Sequence, residues 1–118
     1  MRVYYGHSKK IYGTDREKKE LKLLKTMFDN VICPNNDIGN VERGMKVYLK
    51  IVEWANLIIV SEYCGYVGYG VYYEIKTAIE HNIPVKCLRK NKLYDIEDLS
   101  IYDSNDWEIK YAKLKIKK

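Results

Sequence analysis

The chain has 118 residues, a formal net charge of +5, and 47% apolar and 31% charged residues. That length bounds it to a single domain, residues 1–118, which buries about two-thirds of its unfolded surface. No run approaches the ~18 apolar residues of a membrane span, and Cys33, Cys64 and Cys87 match neither a zinc pattern nor a disulfide framework, which points to a reducing, cytoplasmic setting.

Residues 2–5 read as a first strand, entered directly and with no signal peptide expected. The loop G-H-S-K-K-I-Y-G follows over residues 6–13. Thr14 opens a capping box with Glu17, and Leu21, Leu24, Met27 and Phe28 share one face of the helix it starts. Residues 31–33 form a second strand, stopped by Pro34. After a polar loop over 34–44, Met45, Tyr48, Leu49, Val52 and Ala55 mark a second amphipathic helix. The run L-I-I-V at 57–60 is too short for a helix and rich in β-formers, as a buried parallel strand is. Gly65, Gly68 and Gly70 come next, then a helix over 70–81 that Asn82 and Pro84 end. Residues 85–88 give a fourth strand. Beyond Asn91 the apolar residues fall in mixed periods, read as a short helix or turn and then a last strand or helix, with K-L-K-I-K-K as a frayed basic tail.

Helices separate all four strands, so the expected fold is α/β: a flavodoxin- or Rossmann-like three-layer αβα sandwich on a parallel sheet of about five strands, in the order 2-1-3-4-5. The crevice of such a sheet lies between strands one and three, and the loops 6–13 and 62–70 both face it. Many familiar sites are excluded. There is no P-loop, no acid pair for a receiver domain, and only a lone G-x-G at Gly68 and Gly70. His7 and His81 are too isolated to mark a metal site, so neither metal nor cofactor is expected. The lysines are spread along the chain, which disfavours a nucleic-acid partner.

What remains in the crevice is Tyr4, Tyr5, Gly6, Ser8, Lys9, Gly68, Gly70 and Glu74. Glycines let backbone N–H groups approach an anion, and a helix start near Gly70 adds its positive end. Ser8 and Lys9 suit a phosphate. A carboxylate such as Glu74 can meet a sugar's anomeric carbon as a nucleophile. On spacing alone the commoner reading of Glu74 is a solvated helix residue paired with a lysine such as Lys76 or Lys9.

Three stretches resemble the nucleoside 2-deoxyribosyltransferase family and its relatives that hydrolyse deoxynucleoside 5'-monophosphates. R-V-Y-Y-G-H-S at 2–8 resembles the family's first strand and loop. Y-L-K-I-V-E-W-A-N-L-I-I-V at 48–60 resembles its second helix and apolar strand. G-V-Y-Y-E-I-K-T-A at 70–78 resembles its G-x-x-x-E-[IL]-G-x-A, the most specific of the three. The likeness spans roughly residues 2 to 90. It implies that Glu74 forms a bond to the sugar C1', that Tyr4 orients it, and that Ser8 holds the phosphate side. The substrate implied is a small nucleoside or nucleotide, in a homo-oligomer. The chain departs from the family at Tyr48, where the family has an aspartate, at Gly68, where it has Asp or Ser, and at Asn56. Those departures leave open a second reading, a nucleotide-binding protein without turnover. The tyrosines from Tyr63 to Tyr73 would suit stacking in that case.

Overall fold

The computed structural model describes residues 1–7, 11–34, 45–62, 65–101 and 111–117. In chain order these form β1 (Arg2–His7), α1 (Asp15–Met27), β2 (Asn30–Ile32), α2 (Met45–Trp54), β3 (Leu57–Ser61), β4 (Tyr66–Gly68), α3 (Tyr69–Glu80), β5 (Val85–Arg89), β6 (Lys92–Ile101) and β7 (Tyr111–Ile116). The sheet order is β2-β1-β3-β5-β6-β7-β4. The first four strands of that order are parallel, as the intervening helices require.

Side chains alternate across β1 and β3 and so supply both faces. Val3, Tyr5, Leu57 and Ile59 pack with Leu24 of α1 on one face. Tyr4, Ile58 and Val60 pack with Val52 of α2 and with Val71, Ile75 and Ala78 of α3 on the other. Fully burying a large apolar side chain such as Ile58, Ile59 or Ile75 contributes roughly 1.5–3 kcal/mol. Helix α1 starts at Thr14, whose side chain accepts from Glu17 N as the capping signal predicts. Helix α3 closes as a Schellman turn: Asn82 takes φ 57°, and Ile83 N donates to Ala78 O at 2.8 Å.

The second half departs from the sequence expectation. The fifth strand is not parallel. Lys90 and Asn91 both adopt positive φ, 50° and 64°, which makes a two-residue hairpin turn, and β6 returns antiparallel to β5. Nor do residues 92–101 form a short helix or turn; they are one long strand. After Asp95, β6 leaves β5 and pairs with β7 from Ile96 on, with an irregularity between Ile96 and Asp98. The supposed frayed tail is part of that strand: Leu114 and Ile116 are buried while Lys113 and Lys115 face out. Within the glycine-rich stretch, Tyr66–Gly68 form β4, antiparallel to β7. No helix among the described residues is long and apolar enough to cross a membrane.

Candidate functional site

Strands β1 and β3 lie side by side, with Gly6 level with Val60 and His7 level with Ser61. From β1 the chain turns through α1 to β2 on one side. From β3 it goes through β4 and α3 to β5 on the other. The carboxyl ends of β1 and β3 are therefore the switch point of the sheet, where diverging connections leave a crevice.

Glu74 projects into this region from the second turn of α3. It is 7% exposed, so it is not a solvated helix residue, whereas Lys76 is exposed. Its carboxylate rests on the backbone of β1. A Cβ added at Gly6 would stand 2.6 Å from Glu74 Oε2 and 3.3 Å from Tyr4 Cε1. Only glycine leaves room for that approach.

Tyr4 faces Glu74 from the same side of β1. Among the described residues, Tyr4 Oη and Glu74 Oε2 are both buried without a hydrogen bond of good geometry, although the phenol is near enough to act on the carboxylate. A buried polar atom left unpaired costs roughly 1–3 kcal/mol, so this phenol and carboxylate, which act on each other, each keep room for a further partner. Burial pushes the Glu74 carboxyl up to about 8, against the opposing pull of the Tyr4 phenol. Burial, and next the Glu74 carboxylate, push the Tyr4 phenol well above its ordinary value. Tyr12 is raised to about 12 by burial, then by Glu74 and Tyr48. Tyr48 also raises Tyr4. The Tyr4 and Tyr12 phenols thus share the field of the Glu74 carboxyl, and Tyr48 lies within electrostatic reach of both phenols.

No family model, curated protein or solved structure matches this chain. The site has to be argued from its own geometry.

Of the residues singled out from sequence, Glu74, Tyr4 and Gly6 come together. Gly68 ends β4 and serves as N-cap of α3, and Gly70 lies in the first turn of that helix. Ser8 and Lys9 lie outside the described residues, as does Tyr63. Tyr5 is placed elsewhere. Strand alternation turns it to the α1 face, where its hydroxyl donates to Glu20 Oε1 at 2.8 Å. Glu20 also accepts from Ser61 Oγ at 2.8 Å, and Arg16 donates to Ser61 Oγ at 2.9 Å. Arg89 grips Glu62 through two hydrogen bonds. These pairs fix the carboxyl ends of β3 and β5 from the α1 side.

Sequence reasoning missed three residues on that face: His7, Glu17 and Cys33. His7 Nε2 meets Glu17 Oε2 at 2.5 Å, both side chains buried. The signal for His7 and Cys33 was present but indirect. Alternation puts His7 on the side of Tyr5, and the register Tyr4 to Ile32 sets Cys33 beside Tyr5.

The Tyr4 phenol has a measurable part in this arrangement. In Tyr4→Phe the Glu74 carboxyl loses the group that favours its anion, so its pKa is expected to move above about 8. Carboxyl-carbon NMR titration of the two proteins reads this directly. An unmoved Glu74 resonance would show that the phenol does not act on it.

Proposed function

We propose that the protein cleaves or transfers at the N-glycosidic bond of a nucleoside or its 5'-monophosphate, with Glu74 as nucleophile and Tyr4 as its positioning partner. The observation that supports this most is the buried Glu74 carboxylate at the switch point, with Oε2 against Gly6 and the Tyr4 phenol acting on it, and with neither Oε2 nor Tyr4 Oη held in a well-formed hydrogen bond among the described residues. The resemblance around residues 70–78 supplies the chemistry. In the reaction, ionised Glu74 attacks C1' and the C1'–N bond breaks. Its electron pair leaves with the base, which takes a proton from solvent. Water, or a second base, then attacks C1' of the glycosyl ester and frees Glu74. Tyr48 stands where the family has an aspartate, and its electrostatic reach to Tyr4 and Tyr12 supports a place for it in the same pocket.

The second reading is nucleotide binding without turnover. It is favoured by the raised pKa of Glu74, which leaves the carboxyl mostly neutral at pH 7 in the free protein.

The two separate in one experiment. Deoxynucleosides and their 5'-monophosphates are incubated with the protein between about pH 6 and pH 9, and free base is measured chromatographically. A nucleophile must be ionised, so kcat/KM is expected to rise with pH through about 8. A profile falling over that range would make Glu74 a general acid instead. Binding without free base supports the second reading, and neither binding nor release removes both.

A further inference from the structure

We propose that His7, Glu17 and Cys33 form a binding site for a zinc-class transition metal ion, distinct from the Glu74 pocket. Each residue offers one ligand atom, and these atoms all lie within 4.8 Å of one another. All three residues are buried, at 4%, 3% and 1% exposure. They come from three elements: the end of β1, the first turn of α1, and the residue after β2.

A buried imidazole, carboxylate and thiol in one place need a reason. The His7–Glu17 contact accounts for part of it, and Gly13 N donates to Glu17 Oε1 at 3.2 Å. It does not account for the second ring nitrogen. His7 Nδ1 is buried with no hydrogen-bond partner among the described residues. The ring is held from both sides, stacked on Tyr5 at 4.2 Å and edge-on to Tyr12 at 5.0 Å. A clamped imidazole whose ligand atom lies within 4.8 Å of those of a buried thiol and carboxylate is an arrangement that a metal ion completes.

The donor set selects the ion. A thiolate disfavours magnesium and calcium, which take oxygen ligands. Nitrogen, oxygen and sulfur together suit zinc, with three protein ligands and one open position. Zinc bonds of about 2.0–2.3 Å put ligand atoms roughly 3.2–3.8 Å apart. For both of its atoms to ligate one ion, the His7 Nε2–Glu17 Oε2 contact must open from 2.5 Å. The bound ion would tie β1, α1 and the end of β2 together at the foot of the loop that follows β1.

The test uses the untagged full chain with Co(II) as a zinc surrogate. The wild type is expected to bind about one Co(II) per chain with tetrahedral d–d bands and a near-ultraviolet thiolate-to-cobalt band. Cys33→Ser should lose the thiolate band and bind at least tenfold more weakly, while Cys87→Ser should change neither. Zinc should raise the thermal midpoint of the wild type and not that of Cys33→Ser. No binding at micromolar free Co(II) or Zn(II), or a thiolate band that survives in Cys33→Ser, overturns the proposal. If Cys33→Ser does not fold, X-ray absorption on the zinc-loaded wild type decides. A shell with one sulfur and nitrogen or oxygen neighbours supports the site; any other sulfur count overturns it.

Discussion

Glu74→Gln is expected to abolish base release and, in the same protein, to raise stability near pH 8. The amide keeps the shape of the side chain, so binding should stay within about tenfold, or 1.4 kcal/mol. It cannot form the bond to C1', and loss of a nucleophile costs many powers of ten in kcat. The stability effect has the opposite sign because burial disfavours the charge. Glu74 titrates near 4.5 in an unfolded chain and near 8 in the fold. Below pH 4.5 both states hold the proton and the carboxyl contributes no pH dependence. Between 4.5 and 8 the unfolded chain loses its proton while the native state keeps it, so stability falls as pH rises, then levels off. Glutamine has no such titration. Relative to wild type it should gain less than about 1 kcal/mol at pH 5 and up to about 4 kcal/mol at pH 8. Urea melts at the two pH values measure this. A difference that does not change with pH would mean that the native carboxyl is not held neutral. Full activity in Glu74→Gln would end the nucleophile reading. A residue whose replacement stabilises the fold while removing its chemistry is one placed for function.

Gly6→Ala is the second large effect. Its methyl group would sit 2.6 Å from Glu74 Oε2, far inside contact distance, with Tyr4 Cε1 closing the other side at 3.3 Å. The carboxylate is the part that can move, and it is buried, so moving it disturbs α3 packing. Overpacking of this kind costs about 1–3 kcal/mol. Displacing a reacting atom by about an ångström costs on the order of 100-fold in rate. Both losses are expected in the single variant, read from a thermal melt and from kcat. The double variant Gly6→Ala, Glu74→Ala separates causes. If the clash is with the carboxylate, the alanine at 6 should cost almost nothing once Glu74 is gone. The same cost in both backgrounds would place the conflict elsewhere.

How legible all this was depends on distance along the chain. The parallel half was readable because each of its signals is local: an apolar run at 57–60, a cap at Thr14, a stop at Pro84. The hairpin after β5 was not, since Lys90-Asn91 carries no glycine to announce its two positive φ angles. The alternation Lys113, Leu114, Lys115, Ile116 is a plain strand signal, hidden by its charge and its place near the chain end. Glu74 and Tyr4 could be placed together from the sequence because an α/β sheet puts its crevice at the switch point. Tyr5 was misplaced by ignoring alternation on the same strand. His7, Glu17 and Cys33 meet only through the pairing of β1 with β2 and the packing of α1, which no local pattern encodes.

The pairing of β4 with β7 has a consequence for the order in which the protein is made. Gly68 caps the helix that carries Glu74, and β4, which ends at Gly68, has its partner in β7. Leu114 N also holds Gly65 O at 2.9 Å, where Gly65 turns with φ 83°. On a ribosome, β1, β3 and α3 emerge well before residues 111–116 do. A nascent chain can therefore assemble the parallel sheet and lay α3 against it while the start of that helix is still unanchored. The pairing that anchors the strand leading into α3 forms only when residues 111–116 have been released, so synthesis that stalls short of them leaves a parallel sheet whose β4 has no strand partner.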